Sequence, residues 1–340
     1  MSRGAYLVRR LGLAVLVLVG VMIVTFVVSR VVPSNPAALY AGPRPRPEQV
    51  AALEIKLGLD KPLPVQFASY IGDVLRGDFG ESFRSHRLIL EDLKLFLPAT
   101  LELVAGATLL ALVVGIPMGV LSGANKGGWL DQIGRVLSIA GVSIPTFWLA
   151  LLLQLMFFGW LGLMPLGGRV SSLLILTHPI EAFTGFYLID AAISGNWIAW
   201  KDAAHHLILP TVVLATYPVG LTIRMTRAAM IEVLSEPFIV TARSSGLPTR
   251  TILFRLALKN AIIPTLTVLG LSVAYSITGA FLIEVVFSWP GVGKYVTDAV
   301  LNVDFPVVMA VTLVVTVFYI IINLIVDMIQ SVLDPRVKLG

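Results

Sequence analysis

Cysteine is absent from this chain of 340 residues, which excludes disulfides and thiolate metal sites. Histidine is scarce. His86, His178, His205 and His206 show no metal-ligand spacing with carboxylates, and the adjacent pair points two ways from a helix. No metal site is expected. Charge is scarce too: Lys, Arg, Asp and Glu make up 13% of the residues, against about a quarter in soluble domains. The net charge of +5 is modest and calls for no nucleic-acid partner. Hydrophobic residues fill the place of charge, at 57% of the chain and a mean hydropathy of +0.89. That balance argues for an integral membrane protein. The 29 Gly and 20 Pro are spread along the chain, and both are better tolerated in membrane helices than in soluble ones.

A membrane helix needs about 20 mostly apolar residues. Six windows qualify: Leu11–Ser29, Leu103–Asn125, Val136–Gly168, Leu207–Ile223, Ala261–Ile283 and Phe305–Val326. The third is too long for one span, so its last part is expected in an outer loop. A weaker run, Leu173–Ile189, is broken by His178, Pro179 and Glu181. It reads as a surface or interfacial insert, with a seventh span as the alternative.

Charge orients the spans. Arg3, Arg9 and Arg10 precede the first, and short basic flanks stay in the cytoplasm. No signal-peptide cleavage pattern follows, so the helix is expected to be retained. Six spans then place both termini and the segment 224–260 inside. That segment holds Arg224, Arg227, Arg243, Arg250, Arg255 and Lys259 against Glu232 and Glu236, and the tail holds Arg336 and Lys338 against Asp334. By contrast, Val32–Leu97 balances eight basic residues with eight acidic ones, as suits an outer domain. Within it, Pro47 to Leu57 reads as a short helix stopped by Gly58, Leu63 to Leu75 as a second, and Gly77–Gly80 as a turn. This cap is too short for a core of its own. Trp129, Trp160 and Trp289 fall at expected span ends, as interfacial anchors do. The organisation expected is an N-terminal span at 1–32, an outer cap at 33–95, a multi-span core at 96–330 that includes the segment 231–264, and a cytoplasmic tail at 331–340.

Ile231 to Pro264 is the most distinctive stretch: IEVLSEPFIVTARSSGLPTRTILFRLALKNAIIP. Ser235 can cap a helix starting at Glu236-Pro237. Phe238, Ile239 and Ala242 fall near one face of it. Gly246 can stop it in the left-handed conformation. A second start follows at Leu247-Pro248-Thr249, and Ile252, Leu253, Leu256 and Ala257 repeat at helical spacing. Arg250, Arg255 and Lys259 point elsewhere. Two short helices meeting at an elbow are expected, offering Thr241, Ala242, Ser244 and Ser245 to a partner's groove. Periodicity alone equally fits an amphipathic helix lying on anionic lipid.

The same segment resembles the cytoplasmic coupling loop of importer-type ATP-binding-cassette permeases. Ala242 and Gly246 match its second Ala and its Gly, while Val240 and Thr241 replace the Glu and first Ala. The wide spacing from Gly246 to Pro264 is similar to the peptide and nickel branch of that family. So are "LGLDKPLPVQF", "GDFGESF", "PATLEL", "SIPTFWLALLL", "RMTRAAMIEVL" and "EVVFSWPGVGKYVTDAVLNVDFPVV". The run Gly168 to Ala191 is similar to a stretch of the dipeptide permease B subunits. The resemblance implies an all-α integral membrane protein of about six transmembrane helices with a cytoplasmic coupling helix–turn–helix, the type I importer fold. It implies a bacterial inner-membrane permease subunit for dipeptides or short peptides, without enzymatic activity or cofactor of its own. It further implies a homologous second permease, two ATPase subunits carrying ATP and Mg, and an extracytoplasmic substrate-binding protein. Thr241, Ala242, Ser245 and Gly246 would dock the ATPase, with Pro237, Leu247, Pro248 and Pro264 shaping the elbow. The cargo stays open among dipeptide, longer peptide, glutathione, haem and nickel.

Other residues carry competing readings. Pro145 interrupts the third span, and Pro210 and Pro218 the fourth; these are ordinary kinks, or breaks that flank a translocation path. Glu102, Glu284 and Asp327 lie in or beside spans, where charge is costly. Packing or gating at helix ends competes there with a proton relay, which would make the chain a proton-coupled secondary transporter. No inverted repeat supports that alternative. Gln154 and Asn323 suit hydrogen bonds between helices. Pro290 to Tyr295 echoes a phosphate loop but lacks its first Gly and its Ser/Thr. No glycine-framed nucleophile accompanies Ser143 or the histidine pair, so a protease site is not expected.

Overall fold

The computed structural model describes residues 3–31, 36–41 and 45–333. The expected tail beyond 333, with Asp334, Arg336 and Lys338, lies outside the described residues. Among the described residues the architecture is helical throughout, apart from one isolated bridge between Glu81 and Leu88. Five helices are long and apolar enough to cross a membrane, and one bent pair makes a sixth candidate. Their apolar cores coincide with the six windows read from the sequence.

In chain order the helices are α1 (Arg3–Val31), α2 (Pro36–Ala41), α3 (Pro47–Lys56), α4 (Leu63–Leu75), α5 (Ile89–Ala124), α6 (Trp129–Ser143), α7 (Thr146–Trp160), α8 (Ser172–Thr177) and α9 (Tyr187–Ile193). Then come α10 (Trp197–Val233), α11 (Pro237–Ser244), α12 (Thr249–Val286), α13 (Val292–Leu301) and α14 (Phe305–Leu333). Helices α8 and α9 are too short to span a bilayer, which fits the insert reading of 173–189.

The chain divides into two compact units. One contains Ser2–Leu97 and Lys294–Ile320. In it α4 has the bounds expected from sequence and α3 ends one residue short of them, at Lys56; Pro in the first turn starts both, and left-handed Gly58 (φ +62°) stops α3. Phe26 of α1 is buried against Phe67 and Tyr70 of α4, at ring separations of 5.2 and 6.1 Å. The cap is not closed by its own residues alone. Asp304 accepts from the Ser82 hydroxyl at 2.6 Å and the Phe83 amide at 3.1 Å. Tyr295 donates to Asp92 at 3.0 Å and stacks on Phe96.

The other unit contains Pro98–Gly293 and the chain from Ile321 onward. Its axis is α10, whose 37 residues exceed the expected window Leu207–Ile223. Hydropathy loses the helix where charge begins, but the backbone keeps its hydrogen bonds to Asn196, which caps the start by accepting from the Ala199 amide at 3.1 Å. Gly115, Gly119 and Gly123 let α5 approach α10 closely. A β-carbon on them would fall 2.9, 2.5 and 2.7 Å from Thr222, Thr226 and Met230. This is the small-residue packing that membrane helices use in place of a hydrophobic drive.

Prolines act differently by place. Between α6 and α7 the direction changes by 104°. Ile144, held extended by the following Pro145, ends α6 (φ −77°, ψ 125°). Pro210 and Pro218 instead lie inside an unbroken α10, so the expected interruption of the fourth span is not found. Tight packing of Gly220 against α6, with the Ser138 hydroxyl donating to the Gly220 carbonyl at 2.8 Å, supports the helix there.

Candidate coupling site

The elbow begins where α10 ends. Glu236, extended because Pro237 follows, is the residue that caps α11. Ser235 is not the cap: its hydroxyl donates back to the Ile231 carbonyl at 3.0 Å. Pro237 takes the first helical position, where no amide hydrogen is needed. At the other end the Gly246 amide bonds to the Arg243 carbonyl at 3.0 Å, and the Leu247 amide to the Ala242 carbonyl at 3.3 Å. Gly246 has φ +73°. These two bonds and the left-handed residue make a Schellman motif. Pro248 then starts α12.

Two expectations for this region need correction. The second arm is not a short helix, because α12 runs unbroken for 38 residues from the elbow through the fifth span. A π-helical turn at Ile252–Ala257 lies in its first part, and Pro264 sits inside the helix rather than at the elbow. Ala242 is turned inward. It is buried with Ile239, Ile252, Leu253, Ala257, Ala261, Ala229, Met230 and Val120, so α11 is packed onto the ends of α5, α10 and α12. Burying Ile239 and Ile252 in this cluster is worth about 1.5–3 kcal/mol each. A methyl so placed fixes the elbow and offers little to a partner.

The outward face is different. Phe238, Val240, Leu247 and Phe254 are exposed large apolar residues. Thr241, Ser245 and Gly246 are exposed beside them, with Arg243, Arg250 and Arg255. The face is thus apolar with a basic surround, on a rigid support.

One supporting contact had only a faint sequence signal, the lone acid in the basic stretch Lys126–Arg135. Asp131, 1% exposed, receives two bonds from the Arg227 guanidinium, one from Ser122 at 2.8 Å and one from the Gly127 amide at 2.9 Å. This ties the start of α6 to α10 just before the elbow.

The four candidate path residues are not brought to one place. A cavity of about 270 Å³ lies at the α6–α7 bend, lined by residues including Gly141, Ile144, Thr146, Tyr217, Tyr275 and Ser276. Pro145 makes that bend, while Pro218 is buried within α10. Glu102 is buried in an ion pair with Arg169 and accepts from the Leu188 amide at 2.9 Å. Arg169 lies over the Tyr187 ring at 3.6 Å. Glu284 is fully buried and accepts from the Thr100 hydroxyl at 2.5 Å. A β-carbon at Gly291 would run into its carboxylate. The glycines of the phosphate-loop echo therefore make room for a carboxylate of the chain itself. Trp289 is also buried, its indole donating to the Ala99 carbonyl at 2.9 Å, so it is no interfacial anchor. Trp129 and Trp160 are exposed, as anchors require. Gln154 bonds the Leu166 carbonyl at 2.6 Å and the Val286 carbonyl of α12 at 3.4 Å.

Five helices long and apolar enough to cross a membrane, a bent pair as a sixth candidate and an elbow between two of the long helices are the architecture of a polytopic membrane protein. Residues 115–339 match the family described as "Binding-protein-dependent transport system inner membrane component", and residues 3–104 match "Binding-prot-dependent transport system membrane comp, N-term". The chain belongs to this family of ATP-binding-cassette importer permeases. It is 46% identical to the "Probable D,D-dipeptide transport system permease protein DdpB" of Escherichia coli K12, over 96% of this chain and 95% of that one. It is 40% identical to the "Dipeptide transport system permease protein DppB" of Alkalihalophilus pseudofirmus, over 98% and 99%. The "Di/tripeptide transport system permease protein DppB" of Pseudomonas aeruginosa is also 40% identical, over 98% of both chains.

Proposed function

We propose that this permease forms one side of the membrane passage of an importer for dipeptides or short peptides. A homologous second permease completes the passage, two separate ATPase subunits bind ATP and Mg, and an extracytoplasmic binding protein delivers cargo. The termini and the elbow face the cytoplasm. The observation that carries the coupling role is the Schellman-closed elbow, whose inner face is fixed to three long helices and whose outer face is exposed, apolar and ringed by arginines. A push on α11 reaches α12 without a hinge, because α12 continues unbroken into a span. Docking falls to Thr241, Ser245 and Gly246, with Ala242 holding the elbow in shape. Pro237, Leu247 and Pro248 set its angle. The cavity at the Pro145 bend borders the passage. The peptide cargo follows from these relatives, which are named as dipeptide and di/tripeptide permeases.

Replacing Gly246 with Val tests the coupling. A β-branched residue in the left-handed region costs at least about 1–2 kcal/mol, yet no atom lies within 4 Å of where its β-carbon would be. The strain would open the turn without disrupting a core. In the reconstituted transporter, peptide uptake should fall at least tenfold while membrane insertion is kept and ATP hydrolysis loses its dependence on peptide. Uptake at the parent rate in Gly246→Val would sink the coupling assignment.

A further inference from the structure

A second cavity belongs to neither the elbow nor the bend. It is in the unit formed by Ser2–Leu97 and Lys294–Ile320, and encloses about 480 Å³. That is a size suited to a small ligand. Its wall holds charges of both signs in equal number: Arg30, Lys56 and Lys61 against Asp73, Asp78 and Glu81. An anion site or a cation site would be lopsided. A balanced wall suits a molecule that carries both charges.

A residue of the wall also keeps an acceptor without a donor, just behind the surface. Gln66 spends its side-chain amide nitrogen on the carbonyls of Leu59 and Lys61, at 3.1 and 2.7 Å. That fixes which end of the amide is which. Its Oε1 is buried and has no hydrogen-bond partner among the described residues. Such groups are rare in folded proteins and commonly mark a missing partner. Half-buried Arg30 makes no ion pair among the described residues. Tyr40 and Tyr70 line the same space. Burial, then the neighbouring Glu81 carboxylate that accepts its hydroxyl at 2.7 Å, pushes Tyr40 up to about 12. Burial pushes Tyr70 up to about 12 as well. Both phenols therefore stay neutral at physiological pH. Phe79, Leu88 and Met309 add apolar wall for a short side chain.

We infer that this cavity is a binding site for a small zwitterion, with an ammonium at one end and an anionic group at the other. The ammonium would meet the carboxylates, and the anion would meet Arg30 and Lys61. An unblocked dipeptide has this chemistry, and so does an ethanolamine phospholipid headgroup. The choice of the peptide rests on the import reading above; the cavity and its charges do not. In that role the cap holds cargo on this chain.

The test uses the permease pair with its ATPases in nanodiscs, without the binding protein, and reads saturation-transfer NMR of alanyl-alanine. Saturable binding is expected in discs of phosphatidylglycerol and of phosphatidylethanolamine alike. N-acetyl-alanyl-alanine amide, which has neither charge, should give no signal. Asp78→Asn and Lys61→Gln should each weaken binding at least fivefold while thermal unfolding stays within a few degrees of the parent. Equal binding by both variants, equal binding of the blocked peptide, or displacement by phosphatidylethanolamine would each overturn the assignment to peptide. Uptake by the complete transporter is measured in parallel. Intact, variant-sensitive binding without any peptide uptake overturns the import reading and leaves the cavity assignment standing.

Discussion

A methyl group on Gly119 would meet Thr226 Cβ at 2.5 Å and the Ile223 carbonyl at 3.0 Å, both on α10. Neither a buried threonine nor a helix backbone can step aside without moving a helix. Overpacking of this kind costs about 1–3 kcal/mol and sometimes more. Gly119→Leu should therefore lower the thermal midpoint of the purified permease and reduce its folded yield. Gly20→Ala in α1, where nothing lies within 4 Å, should leave both unchanged. Asp131 makes the opposite point. Its value lies in what its removal leaves behind, a guanidinium in a side chain only 23% exposed. Breaking a buried pair from one side costs about 3–5 kcal/mol, and the partial exposure of Arg227 puts Asp131→Ala toward the lower end. The unfolding midpoint should drop accordingly. Arg227→Lys, with Asp131 kept, should lower the midpoint too, because an ammonium cannot make the two-pronged contact.

At the scale of elements, Pro145 and Pro218 should behave unlike each other. Pro145→Ala frees Ile144 to turn helical, so α6 can run on into α7 and close the cavity at the bend. Peptide uptake should fall at least fivefold with normal amounts of protein in the membrane. Pro218→Ala restores an amide hydrogen inside a helix that is already continuous, so uptake should stay within twofold of the parent. Equal losses from the two would remove the reason for singling out the bend. The difference between these prolines was not legible in the sequence, because the same residue ends one helix and rides inside another according to what packs beside it. What was legible rests on local chemistry. Pro47, Pro62 and Gly58 set the ends of α3 and α4, Gly246 took the left-handed position, and the apolar windows found the spans. What stayed hidden depends on distant partners. Hydropathy could not carry α10 and α12 past their charged ends, nor pair Asp131 with Arg227 across 96 positions. The inward turn of Ala242 and the burial of Trp289 also needed the packed helices. The spacing Gly115-x-x-x-Gly119-x-x-x-Gly123 was on view throughout, and points to the α5–α10 contact.

For the whole molecule, the side on which each segment lies depends on a single structural choice. Helices α6 and α7 meet at 104°, and a pair so bent either crosses the bilayer as a broken span or re-enters on the side it left. If it crosses, the elbow follows four crossings and the cap follows one, so they face opposite sides. If it re-enters, the elbow follows three crossings and shares a side with the cap. Charge favours crossing: Arg243, Arg250, Arg255 and Lys259 make the elbow net positive, as the positive-inside rule expects of a cytoplasmic segment, whereas the cap balances its signs. The chain has no native cysteine, so single thiols can report without background. Ala68→Cys on α4 and Ser244→Cys on α11 are both at exposed positions. A membrane-impermeant maleimide should label Ala68→Cys in intact spheroplasts and Ser244→Cys only in inverted vesicles. Labelling of both from the same face would mean that the bend at Pro145 is a re-entrant hairpin, and an elbow on the outer face could not touch an ATPase that uses cytoplasmic nucleotide.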